Sequence, residues 1–222
     1  MTRPAHQPMA MALHRVRLGA PGLDGLLRVP ESARRMVVFA HGSGSSRLSP
    51  RNNAVAEAFG HAGIATLLFD LLTESEADDR ANVFDIALLA SRLGEAIDWI
   101  DHRDDVAGLP LGLFGASTGA AAALVAASEE AGRVAAVVSR GGRPDLAGAA
   151  LARVEAATLL IVGGEDGEVL ELNRQAFAAM HCVRALKIVP GATHLFDEPG
   201  ALEQVAELGR DWFLAHMGEG AS

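Results

Sequence analysis

Apolar runs recur along the chain without polar alternation at residues 36–40, 65–69, 111–114, 134–139, 158–162 and 183–189. Runs of that kind are expected of strands buried on both faces. Between them, residues 50–62, 85–100, 118–131, 168–180 and 198–217 carry the mixed spacing of amphipathic helices. The beginning differs, because 14–18 and 23–29 flank Gly19-Ala20-Pro21-Gly22 and predict a hairpin. Helix starts are marked where Ser49 precedes Pro50 and where Asp197 precedes Pro199. Alternating buried strands and helices predict an α/β fold: three layers, with a mostly parallel central sheet and helices on both faces. Residues 72–81, with Glu74, Glu76, Asp78 and Asp79, read as a solvated loop or exposed helix start. Their spacing suits no metal.

Composition narrows the picture. With 222 residues, half of them hydrophobic, the chain can bury a core and fits one domain over 1–222, with residues 1–13 expected as a flexible N-terminal extension. Nineteen basic residues face 28 acidic ones, and no basic stripe is visible, so a nucleic-acid partner is not expected. Only Lys187 among the basic residues is lysine. A single cysteine, Cys182, excludes an internal disulfide and a thiolate zinc site and reads as a buried, inert thiol. The N-terminus lacks a signal-peptide core, and the longest small and apolar run, 109–127, is broken by Gly112, Gly115, Ser117, Thr118 and Gly119. A cytoplasmic protein without membrane partners is expected.

That break carries the chemistry. It reads Gly115-Ala116-Ser117-Thr118-Gly119, with a buried strand running in and an alanine-rich helix running out. Strand, sharp turn and helix make a nucleophile elbow, where glycines flank the serine because larger side chains would not fit. A serine hydroxyl needs a base to remove its proton. Of eight histidines, only His41 and His194 follow strands, and His194 lies in the last loop at the same sheet edge as Ser117. Asp166, after the preceding strand, is placed to hold His194 in the right tautomer. Glu165 and Glu168 compete with it, while Asp197 is more simply a helix cap. The order serine, aspartate, histidine is that of α/β-hydrolases.

The turn His41-Gly42-Ser43-Gly44-Ser45-Ser46 follows another buried strand, and there the N–H of Ser43, with that of Thr118, would hold an oxyanion. His41, Gly42 and Gly44 would then contact substrate. Side-chain changes at Ser43 or Thr118 should matter less than changes at Ser117. A rival reading takes Gly42-x-Gly44-x-x-Arg47, followed by a helix and a strand ending in Asp70, as a dinucleotide site of an NAD(P)-dependent oxidoreductase. Two preceding strands, an arginine at the third glycine position and a late helix start count against it. A second glycine-rich turn, 139–145, offers Arg140 or Arg143 to an anionic substrate, or an arginine to brace Asp145. The short spacing after it leaves no room for a large helical lid, so the pocket should be open.

Assembled, the blocks HGSGSSRLSPRN, LFGASTGAAAAL, SRGGRPDLAG, LLIVGGEDGEV and PGATHLFDEPGAL resemble the lidless dienelactone hydrolase-like family of α/β-hydrolases over nearly the whole chain. The resemblance implies Ser117 as nucleophile, Asp166 as acid and His194 as base. One departure is clear: dienelactone hydrolases proper use a cysteine nucleophile, and here the only cysteine is distant. Similar sequences occur fused to phosphoribosyltransferase-like domains, for which this chain has no length. The expectation is a serine hydrolase of small-molecule carboxylic esters that needs no metal or organic cofactor. Acyl transfer to another acceptor and a non-catalytic ligand receptor are the alternatives, and a homodimer is left open.

Overall fold

A computed structural model describes residues 11–218. Strands β1 (Met11–Leu18) and β2 (Leu23–Pro30) form the expected antiparallel hairpin. It lies against β4 (Ile64–Phe69), and β3 (Arg35–Ala40), β5 (Leu111–Ala116), β6 (Val134–Arg140), β7 (Ala157–Gly163) and β8 (Arg184–Val189) complete the sheet. The strand order is β1-β2-β4-β3-β5-β6-β7-β8, parallel from β4 onward. Central strands β3, β4 and β5 are buried at every residue, as their unbroken apolar runs require.

Helices cover both faces. On one, α1 (Pro50–Gly60) and α7 (Ala201–His216) pack Phe59 and Phe213 against Phe39 and Phe114 of the sheet. The Phe59 and Phe213 rings meet edge to face, 5.6 Å between centroids. Full burial of one such side chain contributes about 1.5–3 kcal/mol. On the other face lie α4 (Ile86–Asp101), α5 (Thr118–Glu129) and α6 (Gly167–Ala179), with a kinked 3₁₀ segment, Pro144–Arg153, between β6 and β7. Ser49 caps α1 as expected, its hydroxyl accepting from the Asn52 N–H. No helix among the described residues is long and apolar enough to cross a membrane.

Several expectations are corrected. Residues 11–13, assigned to an extension, are the first residues of β1; residues 1–10 lie outside the described part. Asp197 does not cap α7, which starts after Gly200, because its carboxylate is taken by Arg51 at 3.0 Å. Strand β8 is not buried on both faces: it is the sheet edge, with Lys187 and Ile188 exposed. Residues 72–81, by contrast, match the expected exposed helix start. Thr73 and Glu76 form a reciprocal capping box that starts α2 (Glu74–Ala77), and Asp79 caps α3 (Arg80–Val83).

Candidate active site

The parallel strands deliver their carboxyl ends to one edge, and the chemistry of the chain collects there. At the end of β5, Ser117 adopts φ 50° and ψ −124°, a conformation costly for any residue with a Cβ. Two close backbone approaches enforce it. A Cβ at Gly115 would stand 2.4 Å from Ala120 Cα, and one at Gly119 would stand 2.2 Å from the Ala40 carbonyl oxygen. The turn is clamped from β6 as well: the Ser117 N–H donates to Arg140 O (3.3 Å), and Arg143 N–H donates to Ser117 O (3.0 Å).

His194 reaches the same edge on the loop after β8. Glycines again permit the approach, since a Cβ at Gly163 would collide with the Ala192 carbonyl oxygen at 2.3 Å. Thr193 ties the loop down through its N–H and hydroxyl to Glu198 Oε1, and Phe196 buries its ring at φ 57°. Ser117 and Phe196 are the two non-glycine residues at positive φ among those described, and both belong to this site. Asp166 follows β7 at the start of α6, yet its side chain does not cap that helix. It accepts instead from His194 Nδ1 at 2.7 Å. With the proton on Nδ1, Nε2 is left as a basic lone pair. Glu165 and Glu168, the competing acids, are exposed and have no bond to His194. Gly141 separates His194 from the Ser117 clamp, its would-be Cβ lying 3.6 Å from His194 Nδ1.

The β3 loop closes the other side. A Cβ on Gly42 would lie 2.9 Å from that of Ser117, so only glycine leaves the serine room. His41 lines the cleft with both ring nitrogens occupied inside the protein. Leu71 N–H donates to Nε2 (3.1 Å), which forces the proton onto Nδ1, and Nδ1 donates to Gly42 O (3.0 Å). Burial, opposed by the smaller pulls of the Gly42 carbonyl and Asp70, pushes its pKa below 6.5 and keeps it neutral. Ser43 N–H is not free either: it donates to Thr118 Oγ1 at 2.9 Å. The Thr118 hydroxyl thus occupies a donor expected for an oxyanion. Gly44, at φ 70°, is exposed in the same loop.

Beside Ser43 and Thr118 opens a cleft of about 840 Å³, walled by His41, Arg47, Asp70, Leu71 and Thr73. Asp70, which a dinucleotide reading would leave for a ribose, is engaged by the Arg47 N–H and guanidinium. The two arginines of the β6 turn part company. Arg143 takes the bracing role, with Nε and Nη2 on the two oxygens of Asp145 at 2.9 and 2.8 Å. Arg140 is buried without such a partner. Cys182 lies before β8, next to Thr158 at the start of β7, and so at the opposite sheet edge.

The family model of the dienelactone hydrolases matches residues 23–212, from the hairpin's second strand into α7. The chain belongs to the dienelactone hydrolase family. The family is one of hydrolases. A dienelactone hydrolase structure from Anabaena variabilis ATCC 29413 is 51% identical and superposes with a TM-score of 0.90, over 96% of this chain and 100% of that one. A dienelactone hydrolase-like promiscuous phosphotriesterase from metagenomic libraries shares the fold at 20% identity and a TM-score of 0.76, over 94% and 100% of the two chains. A Mycobacterium tuberculosis protein (strain ATCC 25618 / H37Rv), provisionally named a phosphoribosyl transferase, is 61% identical over 199 residues. The match covers 90% of this family member but 45% of that longer relative.

Proposed function

We propose that this chain is a hydrolase that cleaves carboxylic esters through an acyl-enzyme on Ser117. One observation carries the reading: the His194–Asp166 pair, at 2.7 Å, on the same sheet edge as a serine held in a strained elbow. His194 Nε2 takes the Ser117 proton as Oγ attacks the ester carbonyl, and Asp166 holds the ring and stabilises the imidazolium. The negative charge on the carbonyl oxygen is met by the Thr118 N–H and by the Ser43 N–H, which exchanges the Thr118 hydroxyl for the oxyanion. The imidazolium returns its proton to the leaving alcohol. Water, activated by the same base, then releases the acid. The name of the mycobacterial relative belongs to a protein about twice as long, of which this chain matches 45%.

A fluorophosphonate probe tests the reading. It should label the wild-type chain at Ser117, and Ser117→Ala should lose both labelling and turnover of short-chain aryl esters, the latter by about 10⁴-fold or more. Labelling that persists in Ser117→Ala overturns the assignment. Ligand binding with no turnover in wild type would favour the receptor.

A further inference from the structure

Gly142, in the turn after β6, is pressed against α5: a Cβ there would stand 2.6 Å from that of Ala120 and 2.0 Å from Ser139 Oγ. The peptide that follows it is engaged at both polar ends. Its carbonyl, Gly142 O, accepts from Asn173 Nδ2 at 3.0 Å, and its N–H, that of Arg143, donates to Ser117 O at 3.0 Å. Ser117 O belongs in turn to the peptide whose N–H is that of Thr118. As the first residue of α5, Thr118 has no acceptor for that N–H within the helix. A side-chain amide and two peptides thus stand in series, ending on the N–H assigned above to the oxyanion. Ser117 O also accepts from Ala120 N–H at 3.1 Å inside the α5 turn, so the Arg143 bond is the one that ties it to the β6 turn.

Asn173 is an unusual residue to stand at the head of this series. It lies inside α6, where asparagine is a weak helix former, and it is 0% exposed. Its surroundings fix which way the amide points, since two carbonyl oxygens, Gly142 O at 3.0 Å and Val169 O at 2.8 Å, both require the nitrogen. Oδ1 is left enclosed without a partner among the described residues, as is Ser139 Oγ. An unmet buried oxygen is costly, so the amide stands there for what its nitrogen does. Two turns earlier, the same helix begins at Asp166, the partner of His194.

We propose that Asn173 is a positioning residue for the oxyanion site: through the Gly142–Arg143 and Ser117–Thr118 peptides it aims and polarises the Thr118 N–H, and it keeps the helix of Asp166 in register with the elbow. The inference rests on the esterase reading for its link to turnover. A carbonyl that accepts a hydrogen bond makes the N–H of its own peptide a stronger donor, and bonds in a chain reinforce one another. Holding the plane of a peptide also fixes where its N–H points, and an oxyanion donor is most effective when it is aimed before the charge develops.

Two variants test this. Asn173→Leu keeps the volume and removes the donor, whereas Asn173→Ala opens room for a water that can donate to Gly142 O in the amide's place. With p-nitrophenyl butyrate, kcat should fall about 10-fold in Asn173→Leu and KM should hold, a smaller loss than the roughly 10²- to 10³-fold cost of deleting an oxyanion donor. The Ki of an alkyl trifluoromethyl ketone, whose serine adduct carries the oxyanion, should rise by the same factor. Asn173→Ala should lose less. A residue that merely fills space gives the opposite ranking, because alanine leaves the larger gap. That ranking overturns the proposal, as does a folded Asn173→Leu with wild-type kcat or with a change confined to KM. Should Asn173→Leu not fold, Asn173→Ala must still show a lower kcat at unchanged KM, and wild-type kinetics in it overturn the proposal. The series is also read without turnover: the amide nitrogen resonances of Arg143 and Thr118 should shift upfield in either variant. If Ser117→Ala keeps its probe label and the esterase reading fails, moved resonances still sustain the linkage from Asn173 to Thr118, and unmoved ones overturn it.

Discussion

The elbow at 115–119 and the rim at 73–85 both serve the cleft side of the sheet edge, and opposite physics holds them. In the elbow, backbone meets backbone: Gly115 and Gly119 are in place because no Cβ fits, and Ser117 is fixed by main-chain bonds on both sides. The rim is held by exposed and half-buried side chains. The Thr73–Glu76 capping box, the Asp79 and Asp85 caps and the ion pair from Arg92 to Glu76 carry it. The placement of Ser117 thus depends on contacts that admit almost no substitution, while the cleft wall depends on bonds that many residues could replace.

Three changes would break or sharpen that contrast. Gly119→Ala should have the largest effect, because its Cβ would enter the Ala40 carbonyl; about 3 kcal/mol or more of stability should be lost, read as a lower denaturant midpoint. A stable Gly119→Ala protein with full activity would show the elbow to be as tolerant as the rim. The next concerns His41, which stitches the two regions together through Gly42 O and Leu71 N–H. Its folded pKa lies below the ordinary 6.5, so under mildly acidic conditions the unfolded chain binds a proton that the folded chain refuses. Its contribution to stability is present above 6.5 and declines as pH falls below that value. His41→Asn should flatten that part of the Tm-against-pH curve, and an unchanged slope would remove His41 from the account. Smallest is Thr73→Ala, which opens the capping box at a cost of about 1 kcal/mol and should move KM more than kcat.

What could be read from the sequence follows the same division. The sheet, its helices and the elbow were legible because apolar runs and a glycine-flanked serine are local patterns with a local cause. Asp166 is the acid expected from its loop, and the direction of its side chain, which the sequence does not carry, is what pairs it with His194 while Glu165 and Glu168 point to solvent. Asp197 looked like a cap because Pro199 follows it, and its real partner, Arg51, lies 146 positions away. Ser43 and Thr118 were correctly brought together, though nothing in their spacing announced that the hydroxyl of one would occupy the N–H of the other. The capping box at Thr73 is written in four consecutive residues, Thr73 to Glu76, inside an acidic run that masks it. Arg140 and Arg143 look equivalent in sequence; only the fold leaves one enclosed and the other paired.

Strand β8 leaves one side of the sheet unpaired, and there the chain places Lys187, its single lysine, in the open. A charge on a bare edge discourages another strand from adding to it. It also gives the protein one side-chain amine for coupling reagents, so that a dye or a solid support attached at that position would hold every molecule by the same strand.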